Sequence, residues 1–127
     1  LDASPFIAFL GLTVTEADAG TGRVAMTMPV RPELERGGPM QGQFHGGPVA
    51  ALIDTAGDFA VAVAVGGGVP TMNFRVDYLR PSGGAALTAT ATARRIGRTV
   101  AVVDVDVTDA EGRLTAVGRG TYSTQVG

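Results

Sequence analysis

The 127-residue sequence has no cysteine, no tryptophan and no lysine; all ten of its basic residues are arginine. Without cysteine there can be no disulfide and no thiolate metal centre. A single histidine, His45, leaves a zinc site short of nitrogen ligands, and no carboxylate cluster replaces them. Neither a metal nor another cofactor is therefore expected. Charge is scarce too. Only 17% of residues are charged, the formal net charge is −2, and the longest basic run is Arg94-Arg95. That leaves no general electrostatic case for nucleic acid or an anionic membrane as partner. The apolar run 48–65 approaches the length of a membrane span, but Asp54 and Asp58 lie inside it, and a charge at bilayer depth is costly. Leu1-Asp2-Ala3 is not the positively charged start of a secretory leader. A cytoplasmic protein is the expectation.

What is present is apolar: 45% of residues are hydrophobic, enough for one core in a chain of this length. Residues 1–127 read as one domain without repeat or linker. Ser4-Pro5 before Phe6, Ile7, Phe9 and Leu10 predicts a short capped helix ended by Gly11. Strands follow at 12–16 and around Val24, Met26 and Met28. Residues 31–47, rich in glycine and proline, read as one loop of about 17 residues, a length often tied to function. A helix over 48–65 comes next, stopped by Gly66-Gly67-Gly68. Four strands complete the chain. Met72, Phe74, Val76 and Tyr78 share a face of the first; Leu87, Ala89 and Ala91 and then Ala101, Val103, Val105 and Val107 alternate with polar residues in the next two; the last spans 114–123. Short turns between these strands predict antiparallel pairing. The fold class is thus α+β, about six antiparallel strands around one long helix.

That helix is apolar on every side, from Val49 to Val65. A surface helix shows one apolar stripe, so this one should be buried all round, by the sheet and by a second subunit. Asp54 and Asp58, at i and i+4, share one face of it. An unpaired buried carboxylate is costly or becomes protonated. The two acids either line a narrow solvent stripe with Thr55 or face a functional cleft, their pKa raised by desolvation. At the helix entrance, Gly46 and Gly47 carry no side chain that would block their amides, and the first amides of a helix favour an anion or a developing oxyanion.

His-Gly-Gly followed by an acid nine residues after the histidine resembles the hotdog-fold acyl-CoA thioesterases, and most closely the phenylacetate-degradation type. "FHGGPVAALIDTA" is the core of the match; "FRVDYLRPSGG" and "RRIGR" are similar to the family's following strands. The resemblance implies a curved sheet wrapped around the helix and subunits joined edge to edge, as a homodimer or as a homotetramer of paired dimers. It implies an acyl-CoA substrate hydrolysed to free acid and coenzyme A in sites between subunits. The Gly46 amide would polarise the thioester carbonyl, and Asp54 of the other chain would be base or nucleophile. Gly47 would border the substrate. His45 would be an acid or base at the sulfur, or an anchor for the loop.

The sequence departs from the family at two positions. An amide is common six residues before the histidine, where this chain has Pro39; Gln43, or Gln41, would take over its role. Ser or Thr is common four residues after the acid, where this chain has Asp58. Arg75, Arg80, Arg94, Arg95 and Arg98 are candidates for the coenzyme A phosphates, since Arg binds phosphate bidentately. Two other readings stand beside the thioesterase: a non-catalytic acyl-CoA-binding protein and, on the same fold, a dehydratase or hydratase.

Overall fold

The computed structural model describes residues 4–127. Ser4 caps the first helix, α1 (Pro5–Leu10), by accepting the Ile7 amide, and Gly11 ends it with φ 71°. Only glycine takes that left-handed conformation without steric cost. Strands β1 (Thr13–Asp18) and β2 (Arg23–Pro29) form a hairpin, and β2 turns Val24, Met26 and Met28 into the core. The stretch read as a single loop is more ordered than its composition suggests. A 3-10 turn (Pro32–Leu34) leads into a small hairpin of β3 (Glu35–Gly37) and β4 (Met40–Phe44). The Glu35 carboxylate, which accepts the Gly42 amide, pins that hairpin.

The long helix, α2 (Gly46–Val65), starts two residues earlier than its apolar run. Four strands follow: β5 (Thr71–Tyr78), β6 (Ala86–Ile96), β7 (Val100–Thr108) and β8 (Leu114–Ser123). All six long strands form one antiparallel sheet, in the order β1-β2-β6-β7-β8-β5, so β1 and β5 are its edges. The alternation in β6 and β7 sends Leu87, Ala89, Ala91, Ala101, Val103, Val105 and Val107 to the helix side, all buried. Burial of these apolar side chains against α2 is the main stabilising term.

The helix is not buried all round within one chain. Val49, Leu52, Ile53, Ala56, Gly57, Ala60 and Val61 are buried, a stripe at helical spacing that faces the sheet. Asp54, Thr55, Asp58, Phe59, Ala62 and Val63 are only half-buried. One sheet covers one side of a helix, so the opposite stripe stays open. Phe59, expected in the core like Met26 and Met28, packs at its margin.

Gly57 records the tightest approach between helix and sheet. The Tyr122 ring of β8 lies against it, and a methyl group there would overlap the Tyr122 hydroxyl. A helix-interior glycine costs about 1 kcal/mol relative to alanine; here it admits a fully buried tyrosine.

Candidate active site

Asp54 and Gly46 lie on the same helix, eight residues apart. At 1.5 Å rise per residue that is about 12 Å, too far for both to meet one carbonyl group. Each is instead held by one end of β5. At the start of β5, Thr71 Oγ1 donates to Asp54 Oδ1 at 2.8 Å. At its end, the Tyr78 hydroxyl donates to the Gly46 carbonyl at 2.6 Å. From the sheet, the Tyr122 hydroxyl donates to the Asp54 backbone carbonyl at 3.1 Å. Burial pushes that phenol well above its usual range, with the Asp54 and Asp58 charges adding to the effect, so it stays a proton donor. The Asp54 carboxylate therefore sits half-buried, oriented by Thr71, on a backbone turn tied to Tyr122.

The helix entrance is built by the chain around it. The His45 amide donates to the Leu34 carbonyl at 2.9 Å, and the Phe44 amide to the Ser82 carbonyl at 2.8 Å. His45 is the N-cap residue, but its side chain makes no capping bond. The Gly46 and Gly47 amides belong to the first turn, where no intrahelical acceptor exists. Apart from its chain neighbours and the backbone of its own helix turn, no atom of the described residues lies within 4 Å of where a Gly47 side chain would begin. Beside them opens a cleft of about 370 Å³ lined by Arg36, His45, Gly46, Tyr78, Leu79 and Arg80, among others.

The expected site residues divide accordingly. His45, Gly46, Gly47 and Arg80 come together at the entrance. Asp54 and Asp58 share the open stripe one turn apart. Gln41 and Gln43 do not face the entrance cleft. They line a neighbouring one, with Gly83 and Asp109. The Gln43 side chain reaches the entrance through Arg36, whose Nη1 donates to its Oε1 at 3.2 Å. Pro39, where an amide was sought, sits in the turn between β3 and β4.

Arg75 and Arg94 are displaced furthest from their expected role. The register Arg75↔Arg119↔Asp104 puts Arg75 on the sheet face away from the helix. There it pairs with Asp77 at 3.2 Å, and Arg94 with Asp104 at 3.6 Å. Period-two alternation decides this: residues between helix-facing positions must point outward.

Asp58 has its own surroundings. Its Oδ1 accepts the Val69 amide at 3.3 Å. Desolvation raises its pKa and the Asp54 charge adds to that, against the lowering effect of the Val69 amide. It lines a largely apolar cleft of about 410 Å³ with Ile7, Phe59, Ala62, Val63 and the Gly66–Gly68 turn. Among the described residues, no group of three or more His, Asp or Glu side chains could hold a metal ion.

Sequence reasoning missed Thr71, Tyr78, Tyr122 and Arg36. Two signals pointed to them. A glycine inside an otherwise apolar helix implies a large neighbour, which is Tyr122. A threonine opening the strand after the helix was an available hydroxyl, but only the turn at 66–70 sets which helix residue it meets.

The fold and this site define a class. The thioesterase-superfamily model matches residues 41–116, and the chain belongs to that superfamily. Within it, the chain is a hotdog-fold thioesterase of the PaaI-like group and a thioester hydrolase. A relative in Halobacterium salinarum, provisionally named an esterase, is 39% identical over 96% of this chain and 85% of its own length. The acyl-coenzyme A thioesterase PaaI of Escherichia coli is 33% identical over 87% of this chain and 76% of its own. The solved structure of E. coli PaaI superposes with TM-score 0.86, covering 99% of this chain and 87% of that one at 27% identity. A crystal structure of another thioesterase-superfamily protein gives TM-score 0.90 at 36% identity, over 96% of this chain and 90% of that one. The long apolar helix is thus the central helix of the fold and no evidence of a membrane protein. Neither the non-catalytic binder nor the dehydratase reading draws support from these relatives.

Proposed function

We propose that the chain hydrolyses acyl-CoA thioesters to free acid and coenzyme A in a site shared by two copies. The carrying observation is the position of β5, an edge strand with one site group at each end. Antiparallel pairing of β5 with the same strand of a second copy would set the Thr71–Asp54 end of one chain against the Tyr78–Gly46 end of the other. The roughly 12 Å separation along one helix is then no obstacle, because Asp54 and Gly46 act from different chains. The strand is suited to a partner. Met72, Phe74 and Tyr78 are 57%, 37% and 52% exposed, and an unpaired apolar edge is a ready template for pairing. Such a dimer would also cover the open stripe of α2. Two dimers can pair further into a tetramer.

In this site the Gly46 amide polarises the thioester carbonyl. Asp54 removes a proton from water, the water oxygen attacks the carbonyl carbon, and negative charge develops on the oxygen that Gly46 faces. One preorganised donor there is worth about 3–4 kcal/mol of transition-state stabilisation. Collapse breaks the carbon–sulfur bond, and the coenzyme A thiolate takes up the proton. Attack by the Asp54 carboxylate itself, through an anhydride, uses the same positions.

Charge assigns the two ends of the substrate. Phosphates fit the entrance cleft, where Arg36 and Arg80 stand, and not the stripe with two carboxylates. The acyl group then runs from Asp54 towards Asp58.

The test is Asp54→Asn, followed by release of coenzyme A with a thiol reagent; a protein without cysteine adds no background. Loss of a general base lowers kcat by about 10²–10⁴, with acyl-CoA binding retained. Unchanged kcat in the variant, or no hydrolysis by the native chain over an acyl-CoA panel, contradicts the reading.

A further inference from the structure

From the apolar cleft beyond Asp54 we infer that Asp58 sets acyl specificity: the site selects compact acyl groups bearing a hydroxyl about one helical turn from the thioester carbon, and rejects acyl groups bearing a carboxylate there. The inference rests on the reading of Asp54 as the reacting carboxylate.

The cleft begins at Asp58, the next acid along the helix from that carboxylate. Asp58 is one turn, ~5–6 Å, further along the same open face of α2, and the cleft lies around it. Its walls are otherwise the side chains of Ile7, Phe59, Ala62 and Val63 and the glycine turn 66–68. None of the described lining residues is cationic, so the phosphorylated end of coenzyme A has no partner among them, whereas an acyl chain does. Asp58 is the one acidic side chain among the described lining residues. Among the described residues only its Oδ1 is occupied, by the Val69 amide. Oδ2 is left to accept from a bound hydroxyl.

The rest of the cleft determines how strongly this discriminates. An apolar pocket rejects an extra or missing methylene only weakly, but a polar group set in such a pocket rejects an analogue that leaves it unpaired. A carboxylate on the acyl group meets the opposite fate. It would enter a largely apolar space already occupied by one negative charge and adjacent to a second, Asp54, with no counter-ion among the lining residues. Relatives with Ser or Thr at this helix position would lack that repulsion.

The experiment uses three acyl-CoA compounds of matched length: 6-hydroxyhexanoyl, heptanoyl and adipoyl. They end in a hydroxyl, a methyl and a carboxylate. For the native protein, kcat/KM for 6-hydroxyhexanoyl-CoA should exceed that for heptanoyl-CoA by about tenfold or more and that for adipoyl-CoA by about a hundredfold or more. In Asp58→Ser the hydroxyl preference should shrink towards one, while adipoyl-CoA gains at least about tenfold. Asp58→Asn, which keeps the shape, leaves its oxygen to the Val69 amide and places an NH2 donor where Oδ2 was, should rescue adipoyl-CoA and retain part of the hydroxyl preference, because a hydroxyl oxygen can accept from that NH2.

Calorimetric binding of the same compounds to Asp54→Asn protein reads the selectivity apart from turnover. Ranked binding without hydrolysis by the native chain would overturn the catalytic reading and leave the assignment of Asp58 standing. Hydrolysis with ratios near one, or ratios that a folded Asp58→Ser protein leaves unchanged, would overturn the assignment of Asp58 alone.

Discussion

A carboxylate acts as a base only if something other than its own charge fixes its direction, and Thr71 does that for Asp54. Thr71→Val keeps the volume and β-branching but deletes the donor. It should lower kcat by about tenfold, the equivalent of one hydrogen bond of ~1.4 kcal/mol, with KM little changed; steady-state kinetics reads this split. Asp58 gives a second expectation, in stability. Its carboxyl binds a proton more tightly in the folded chain than in the unfolded one. Stability from this group is therefore full below the ordinary value of 3.8, falls as pH rises from there through the raised folded value, and stays lower above it. Asp104 runs the other way. Its hydrogen bond with Arg119 lowers its pKa, so its contribution is present above the ordinary value and lost as pH falls through the folded one. Asp58→Asn, which can still accept the Val69 amide, should raise Tm at neutral pH and flatten the fall that begins above pH 4, as followed by thermal melts across pH. At this scale the sequence named Asp54, Asp58 and Gly46, because acids and paired glycines are conspicuous in an apolar run. It could not name Thr71 or Tyr122, whose roles depend on contacts 17 and 68 residues away in the chain.

Elements were the most legible level. The period of two in β6 and β7 and the continuous apolar run of α2 carry strong signals, and caps mark α1 at both ends. The β3–β4 hairpin stayed hidden because glycine and proline dominate it and its strands are three and five residues long. The role of β5 was half legible. Its apolar face is plain in the sequence, but only the strand order makes it an edge, the position from which the proposed pairing with a second copy is argued. The helix–sheet contact at Gly57 yields a prediction of its own. Gly57→Ala gains up to about 1 kcal/mol of helix propensity but forces the Tyr122 ring away from α2. Overpacking of this kind costs about 1–3 kcal/mol. The variant should lower Tm and, because Tyr122 holds the Asp54 turn, lower kcat as well. A variant with raised Tm and native kcat would show that the close approach is not required.

As a whole molecule, the single chain has a sheet with two edges, β1 and β5, and a helix with one uncovered stripe, and the two proposed halves of the site lie at opposite ends of the β5 edge. In the proposed mechanism the arrangement becomes chemically competent when a second copy reverses the direction of β5. No periodicity in the sequence could reveal this; the resemblance to known thioesterases implied it, and the placement of Thr71 and Tyr78 at the two ends of one strand gives it a physical basis. The most direct test is complementation between two inactive chains. Asp54→Asn removes the proposed base. Gly46→Pro removes the amide at the first helical position, where the helix backbone tolerates proline and where His45, at φ −62° and ψ 155°, already has the extended backbone that precedes proline; a Cβ at position 46 would meet the Tyr78 hydroxyl at 3.2 Å, and that exposed side chain has to shift slightly. Each variant alone should be folded and inactive. Co-expressed, they form mixed dimers in which one site carries both substitutions and the other carries neither, so about a quarter of the native sites should return for random pairing. Recovery of thioesterase activity near that fraction is the predicted result. Co-expressed chains that assemble and remain inactive would contradict a site built from two copies.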